Sequence, residues 1–263
     1  MLDYRDICLK VCDLARETGK YIAEQRETFS FSDVEFKGKG KQNMVSYVDK
    51  QAEKMVVERL REITPEAGFI TEEGTASAHD EMLRWIIDPL DGTTNFIHGL
   101  APYCVSIALM EEDRLVLGVV YEVVADEMFY AWRNSDAYLN GVRIRVSAAD
   151  SLVNSLVGIG FSYSAIAGED GYLEKVAELQ RSTHGIRRIG SAAADLVYVA
   201  CGRFDAFAQK GLSSWDVAAG AFIAECAGAR LSDYDGGTNY VFGKSIIATN
   251  SYIYDDFLEK MNA

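Results

Sequence analysis

The segment between residues 68 and 132 constrains the fold most, because its apolar residues change from a helical repeat to near alternation. This pattern predicts short strands at Gly68–Thr71, Arg84–Asp88, Cys104–Met110, Leu115–Tyr121 and Met128–Trp132. The dipeptide Asn140-Gly141 marks the turn of a further hairpin. The middle of the chain is therefore expected to form a sheet.

The sequence on both sides of these strands predicts helices. Apolar residues from Leu2 to Ile22 recur at three- and four-residue spacing, which indicates one long helix. Asp49 is expected to be the N-cap of a second helix that ends at Pro65. After residue 147 strands and helices alternate, which favours a layered α/β arrangement. The predicted elements there are strands at Ser155–Gly160, Phe204–Ala208 and Ser245–Ala248, and helices at Asp170–Gln180, Ser191–Ala200, Ser214–Ala227 and from about Tyr252.

The composition excludes several classes of protein. Acidic residues (40) outnumber lysines and arginines (26), and the net charge of −14 argues against direct nucleic-acid binding while suiting a site that concentrates divalent cations. We expect no membrane span, because no apolar run reaches about 18 residues. Acidic residues near the start argue against a secretory signal. The cysteines form no CxxC pair, so we expect reduced thiols in a cytoplasmic protein.

Two aspartates follow a predicted buried strand within one tight turn. Asp88 precedes Pro89, and Asp91 precedes Gly92, which permits a sharp bend. Carboxylates this close repel each other unless a cation lies between them, and Mg²⁺ prefers such oxygen ligands. The amides of Gly92–Thr94, at a short helix start, would hold a phosphate. An isolated DxxDG string is more often a plain turn, but the strand before it and the TTN string after it favour a functional site.

Two further acidic positions have ordinary interpretations when taken alone. Glu72 and Glu73 resemble any solvated strand end. Asp216 lies in the first turn of a predicted helix, where the helix dipole favours a carboxylate. That helix is apolar on all sides, so its acidic start needs a partner, either a cation or a buried arginine.

Together these strings resemble the inositol monophosphatase family, a magnesium-dependent and lithium-sensitive superfamily of sugar phosphatases. The matching strings are DPLDGTTNFIHG at Asp88–Gly99, the Glu72-Glu73 pair, WDVAAG at Trp215–Gly220 and GSAA at Gly190–Ala193. Asn43–Asp49 matches the family's DxVTxxD segment imperfectly. The resemblance implies a mixed α/β fold, layered as an α-β-α-β-α sandwich, and a homodimer.

The change in the pattern of predicted strands and helices near residue 147 indicates a soft division of the chain. We expect residues 1–146 to form an N-terminal α+β half that carries the metal-binding motifs. Residues 147–263 would form a C-terminal α/β half that completes the site. Because no low-complexity linker separates them, the two halves should share one packed unit.

The resemblance implies two or three Mg²⁺ ions per site. One ion would be held by Glu72, Asp88 and the backbone carbonyl of Leu90. A second would be held by Asp88, Asp91 and Asp216, and a looser third by Glu72 and waters. A carboxylate with two oxygens can bridge two cations, as Asp88 would here.

Catalytic and substrate-binding roles follow from the same resemblance. Glu72 and the Thr93 hydroxyl would position a metal-bound water for attack on phosphorus, and Asp91 would complete the catalytic set. Asp49 would support metal waters as a carboxylate behind the ligands, or act only as a helix cap. The implied substrate-binding residues are Gly92, Thr93, Thr94, Gly190, Ser191, Ala192, Gln209 and Asp216.

The chain departs from the family pattern at three positions. Asn43 and Ser46 replace the first aspartate and the threonine of DxVTxxD, and Ser46 keeps the hydroxyl. Gln209 stands where inositol-specific members have a glutamate that accepts hydrogen bonds from ring hydroxyls. Glutamine offers one acceptor and two donors, so sugar recognition should differ.

The leading hypothesis is a Mg²⁺-dependent phosphomonoesterase that acts on inositol monophosphate or a related sugar phosphate. Alternatives in the same superfamily act on fructose 1,6-bisphosphate, histidinol phosphate or 3′-phosphoadenosine 5′-phosphate. A different class is a binding protein attached to the transcription or ribosome machinery. Arg188 could pair with a second phosphate or with an acidic residue of a partner subunit, or have only a structural role at the surface. The Lys37–Lys41 loop could approach the phosphate or be a solvated hairpin. These motifs do not identify the physiological ester, because segments that would contact it, such as Ser162–Gly168, carry no motif.

Overall fold

The computed structural model describes residues 2–36, 44–76, 81–161 and 171–262. The helices of these residues are α1 (Tyr4–Thr28), α2 (Tyr47–Ile63), α3 (Thr93–His98), α4 (Tyr172–Ser182), α5 (Ala192–Ala200), α6 (Ser214–Cys226) and α7 (Tyr254–Asn262). The strands are β1 (Val34–Phe36), β2 (Met44–Ser46), β3 (Gly68–Thr71), β4 (Leu83–Asp91), β5 (Cys104–Glu111), β6 (Arg114–Glu122), β7 (Glu127–Trp132), β8 (Ala137–Leu139), β9 (Val142–Ile144), β10 (Leu156–Ile159), β11 (Gly185–Arg187), β12 (Ala206–Lys210), β13 (Arg230–Ser232) and β14 (Ser245–Thr249).

The larger sheet has seven strands in the order β3-β4-β5-β6-β7-β8-β9. Strand β3 runs parallel to β4, and every later pair is antiparallel. The predicted strands of residues 68–132 are all present, and Asn140 and Gly141 form the hairpin turn with φ of 48° and 81°. Left-handed backbone at both turn positions is what a two-residue hairpin requires.

The smaller sheet has five strands in the order β11-β10-β12-β14-β13. Strand β10 is parallel to both of its neighbours, whereas β14 is antiparallel to β12 and to β13. All its strands lie after residue 147, and all strands of the larger sheet lie before it. The division of the chain near residue 147 stays a prediction.

The elements stack in five layers. Helices α1 and α2 cover one face of the larger sheet, and α5 and α6 lie between the two sheets. Helices α4 and α7 cover the outer face of the smaller sheet. This is the α-β-α-β-α sandwich predicted from the sequence. Among the described residues, no helix combines the length and apolar character that crossing a bilayer requires.

Helix α6 is packed closely on two sides, which fixes its position. A Cβ added to Gly118 of β6 would lie 2.6 Å from the carbonyl oxygen of Ala219. A Cβ added to Gly220 would lie 2.7 Å from the Cβ of Leu196 in α5. Only glycine allows backbones to approach this closely.

The prediction that Asp49 is a helix N-cap is wrong. Helix α2 begins at Tyr47, and its N-cap is Ser46, three residues before Asp49. The Ser46 hydroxyl accepts a hydrogen bond from the Val48 amide (3.1 Å), and Asp49 accepts one from the Ser46 amide (2.8 Å). Asp49 is thus the third helical residue of a capping box, a role in which a carboxylate reaches back to the N-cap amide.

Some predicted boundaries also differ. Strand β4 does not end at Asp88 but continues to Asp91, with a register shift between the two aspartates. Pro89 lies in the shift, because it has no amide proton to give to the neighbouring strand. Predictions about the Lys37–Lys41 loop, Asn43 and residues 162–168 fall outside the described residues.

Candidate metal centre

Three aspartates from two elements meet at one point. Asp88 and Asp91 are carried by β4, and Asp216 lies in the first turn of α6. Each offers a carboxylate oxygen, and the three oxygens lie within 4.8 Å of one another. The Ser106 hydroxyl, opposite Asp88 on β5, donates to the Trp215 carbonyl (3.4 Å) and so ties the start of α6 to the sheet.

Each aspartate is held by local hydrogen bonds. Asp88 Oδ1 accepts from the Leu90 amide at 3.0 Å. Asp91 Oδ2 accepts from the Ala193 amide at 2.7 Å and from the Ser191 hydroxyl. Asp216 Oδ2 accepts from the Ser213 amide at 2.6 Å, so a backbone amide, and not an arginine of the described residues, is its partner.

Burial raises the pKa values of all three carboxyls. The pKa of Asp88 lies well above its ordinary value, because burial and repulsion from Glu72, Asp91 and Asp216 disfavour its ionised form. Burial raises the pKa of Asp91 to about 6, against the opposing hydrogen bonds from Ser191 and Ala193. Burial and repulsion from Asp91 raise the pKa of Asp216 to about 8. A divalent cation among them would remove this cost.

Glu72 and Leu90 lie at the same place. Glu72 directly follows β3, and its amide donates to the Ile87 carbonyl of β4 (3.3 Å). A cavity of about 270 Å³ brings together all five predicted metal-binding residues and the turn at the start of α3. Its lining residues are Glu72, Asp88, Leu90, Asp91, Gly92, Thr93, Thr94, Gly190, Gln209 and Asp216.

Thr93 is held from two sides. Its hydroxyl lies 3.0 Å from Asp49 Oδ1 and 3.1 Å from the Leu90 carbonyl oxygen. Asp49, which is 1% exposed, therefore fixes the Thr93 hydroxyl by a hydrogen bond and also completes the capping box of α2. Gly92 has φ of 97°, and a Cβ there would lie 3.0 Å from the Pro102 carbonyl oxygen.

A second cavity of about 250 Å³ adjoins the first and contains the other predicted substrate-binding residues. Ser191, the N-cap of α5, and Ala192 line it beside Asp91 and Asp216. Gln209 lines both cavities and folds over Gly160, where a Cβ would lie 1.5 Å from Gln209 Oε1. The oxygen ligands and the residues expected to face a substrate are thus contiguous.

Two buried carboxyls near the site were missed in the sequence. Glu53 is fully buried on α2, one turn after Asp49. Asp195 lines the second cavity at 2% exposure, and its Oδ1 has no hydrogen-bond partner among the described residues. Burial raises the pKa of Asp195 well above its ordinary value, although Arg188 opposes the shift. For Asp195 the available signal was an acidic residue inside an otherwise apolar helix.

Comparisons with known proteins identify the family of the chain. The family model described as "Inositol monophosphatase family" matches residues 5–262. An "Inositol-1-monophosphatase" of Mesorhizobium japonicum is 38% identical over 91% of this chain and 90% of its own length. The "Nus factor SuhB" of Escherichia coli K12 is 40% identical over 94% of this chain and 92% of its own length. The solved structure of the Thermotoga maritima IMPase has a TM-score of 0.88 at 32% identity and covers 99% of this chain and 97% of that one. Since the family model spans nearly the whole sequence, the chain belongs to the inositol monophosphatase family.

Proposed function

We propose that this chain is a Mg²⁺-dependent phosphomonoesterase that hydrolyses inositol monophosphate or a related sugar phosphate. The observation that carries the proposal is the group of Asp88, Asp91 and Asp216, whose oxygens lie within 4.8 Å of one another beside a polar cavity. Family membership gives a phosphatase as the expected activity. The donors are all oxygens and their pKa values are raised by burial, which suits a hard divalent cation.

The proposed ligands follow the family pattern. Glu72, Asp88 and the Leu90 carbonyl would hold one Mg²⁺, and Asp88, Asp91 and Asp216 a second, with a looser third site at Glu72. When bound, Mg²⁺ supplies positive charge that acidifies a water molecule and neutralises the phosphoryl oxygens.

The protein's own groups would position the reactants. Glu72 would accept a proton from the attacking water, which the Thr93 hydroxyl, held by Asp49, would orient. The P–O bond to the organic part would break, and the departing alkoxide would take a proton from a water near Asp216. Amides at Gly92, Thr93 and Thr94 would donate to the phosphate. The ester's organic part would lie in the second cavity, whose proposed contacts are Gly190, Ser191, Ala192, Gln209 and Asp216.

The proposed substrate is a hydroxyl-rich ester, but Gln209 argues against strict selectivity for inositol. Its single acceptor replaces the two carboxylate oxygens of inositol-specific members. The exposed Arg188 at the second cavity would favour a bisphosphate only if it meets a second phosphate. Esters of fructose, histidinol and adenosine therefore belong in the same test.

Phosphate release with Mg²⁺ tests the proposal. Wild type should hydrolyse at least one of these esters and be inhibited by Li⁺. Asp91→Asn should lower kcat at least about 100-fold, because it removes a ligand that contributes charge at the reacting centre. Asp235→Asn, a matched change at an exposed aspartate, should leave kcat unchanged. Full activity of the Asp91→Asn variant would contradict the proposal.

The name of the Escherichia coli relative favours a second candidate, a protein whose main work is binding to the transcription or ribosome machinery. The acidic cluster argues for retained catalysis, and the net charge of −14 argues against direct contact with nucleic acid. This candidate gains if wild type is inert on every ester but copurifies with RNA polymerase or ribosomal proteins.

We also propose a cytoplasmic homodimer. The support is the family resemblance and the five cysteines, all of which are free thiols. Light scattering on the purified protein should give twice the mass of one chain.

A further inference from the structure

Glu53 is a fully buried glutamate, and both of its carboxylate oxygens accept hydrogen bonds. Oε2 accepts a hydrogen bond from the Glu73 amide at 2.7 Å. Oε1 accepts one from the Thr75 amide at 2.8 Å and another from the Thr75 hydroxyl at 2.7 Å. Burying a carboxylate is costly unless its oxygens are hydrogen-bonded, and these donors meet that requirement.

The donors belong to the turn that directly follows Glu72. Strand β3 ends at Thr71, so Glu72 is the first residue beyond the sheet. Its own amide is fixed to β4 through the Ile87 carbonyl (3.3 Å). Glu53 fixes the chain immediately after it, so Glu72 is held between two anchors.

A second carboxylate of helix α2, that of Asp49, fixes the turn on the other side of the cavity. Asp49 lies four residues before Glu53, so both carboxylates project from one buried face of the helix. Asp49 binds the Thr93 hydroxyl, which also contacts the Leu90 carbonyl. One rigid helix thus holds the turn after Glu72 and the turn after Asp88.

We propose that Glu53 is a positioning residue that sets the distance between Glu72 and the aspartate cluster, and thereby the affinity of the site for a divalent cation. The inference rests on the proposed function, in which Glu72 and Asp88 share a cation. Glu53 would thus affect cation binding indirectly, by positioning Glu72, in addition to its contribution to folding.

Glu53→Gln provides the test. The amide has one acceptor oxygen, and its NH₂ group would face a backbone N–H of the turn, donor against donor. The turn should shift and carry Glu72 with it. We expect Mn²⁺ to bind about 10- to 100-fold more weakly, the range for groups that orient metal ligands. Electron paramagnetic resonance of free Mn²⁺ measures this without any turnover.

Two further variants provide the controls. Glu58→Gln makes the same change at an exposed glutamate of α2 and should leave Mn²⁺ affinity within twofold of wild type. Thr75→Val removes one of the three hydrogen bonds at an exposed position and should fold even where Glu53→Gln does not. It should weaken Mn²⁺ binding about threefold, as expected for one hydrogen bond.

The Glu72→Gln background separates positioning from general stability. If Glu53 acts through Glu72, adding Glu53→Gln or Thr75→Val to Glu72→Gln should cause no further loss of Mn²⁺ affinity. Wild-type affinity in both single variants, or equal losses with and without Glu72, would overturn the inference and leave the proposed function standing. A wild type that binds no Mn²⁺ would overturn the proposed function itself.

Discussion

Asp91 and Asp216 are close enough to repel each other, and burial raises the pKa of the first to about 6 and of the second to about 8. At pH 7 and without a cation, Asp216 therefore holds a proton for most of the time. An acid whose folded pKa lies above its unfolded value stabilises the fold at low pH, and this stability is lost as the pH rises. For these two groups the loss extends from their ordinary pKa of 3.8 to about 8.

Cation binding at pH 7 should consequently release protons, from Asp216 and from Asp88, whose pKa is also raised by burial. Isothermal titration with Mg²⁺ in buffers of different ionisation enthalpy measures the number released. The release should become smaller as the pH rises from 7 to 9, because Asp91 and Asp216 are then ionised before the cation binds, and the apparent affinity should rise between pH 6 and pH 8. A binding heat that does not depend on the buffer at pH 7 would contradict the assignment.

Single residues also show what the sequence could and could not reveal. Asp88, Asp91 and Asp216 could be selected because each carboxylate adjoins a buried element and matches a family string. Glu53 could not, because its partners lie 20 and 22 residues away. They reach it because β3, which precedes them, pairs with β4, against which α2 packs. No local pattern encodes that contact.

At the scale of elements, strands were easier to predict than helix ends. The alternation of residues 68–132 located every strand there, since one residue of slip would turn apolar side chains to the wrong face. The start of α2 was misplaced because Ser46 and Asp49 are both good N-terminal residues. The hydrogen bonds of the capping box make Ser46 the N-cap, and these hydrogen bonds depend on where β2 ends.

Ser46→Ala tests this cap. The Ser46 hydroxyl accepts from the Val48 amide and donates to Asp49 Oδ2 at 2.7 Å, and alanine does neither. We expect a loss of about 1 kcal/mol in the free energy of unfolding, the usual cost of deleting a cap. Urea denaturation measures it. Ser46→Thr keeps the hydroxyl and should cost little, so equal stability of the alanine and wild-type proteins would contradict the assignment.

At the scale of the whole molecule, the candidate site lies where the layers meet. The larger sheet contributes Asp88 and Asp91, helix α6 contributes Asp216, and the smaller sheet contributes Gln209. The layered arrangement could be predicted from the alternation of strands and helices and from the family resemblance. The contacts that set the layer spacing could not, because Gly118 gives no local sign that Ala219 packs against it.

Gly118→Ala should therefore affect both the fold and the site. The added methyl would lie 2.6 Å from the Ala219 carbonyl oxygen, so α6 must move away from the larger sheet. Overpacking of this kind costs about 1–3 kcal/mol, which thermal unfolding without Mg²⁺ would detect. Because Asp216 lies three residues before Ala219 on the same helix, the movement should also weaken Mn²⁺ binding.

Phe257→Leu is the control for this coupling. Phe257 is fully buried on α7 against the outer face of the smaller sheet, away from α6. Its replacement should lower stability by about 1–2 kcal/mol through lost packing and leave Mn²⁺ affinity unchanged. If Gly118→Ala lowers stability but, like Phe257→Leu, leaves Mn²⁺ affinity at the wild-type value, the position of α6 does not set the geometry of the acidic cluster.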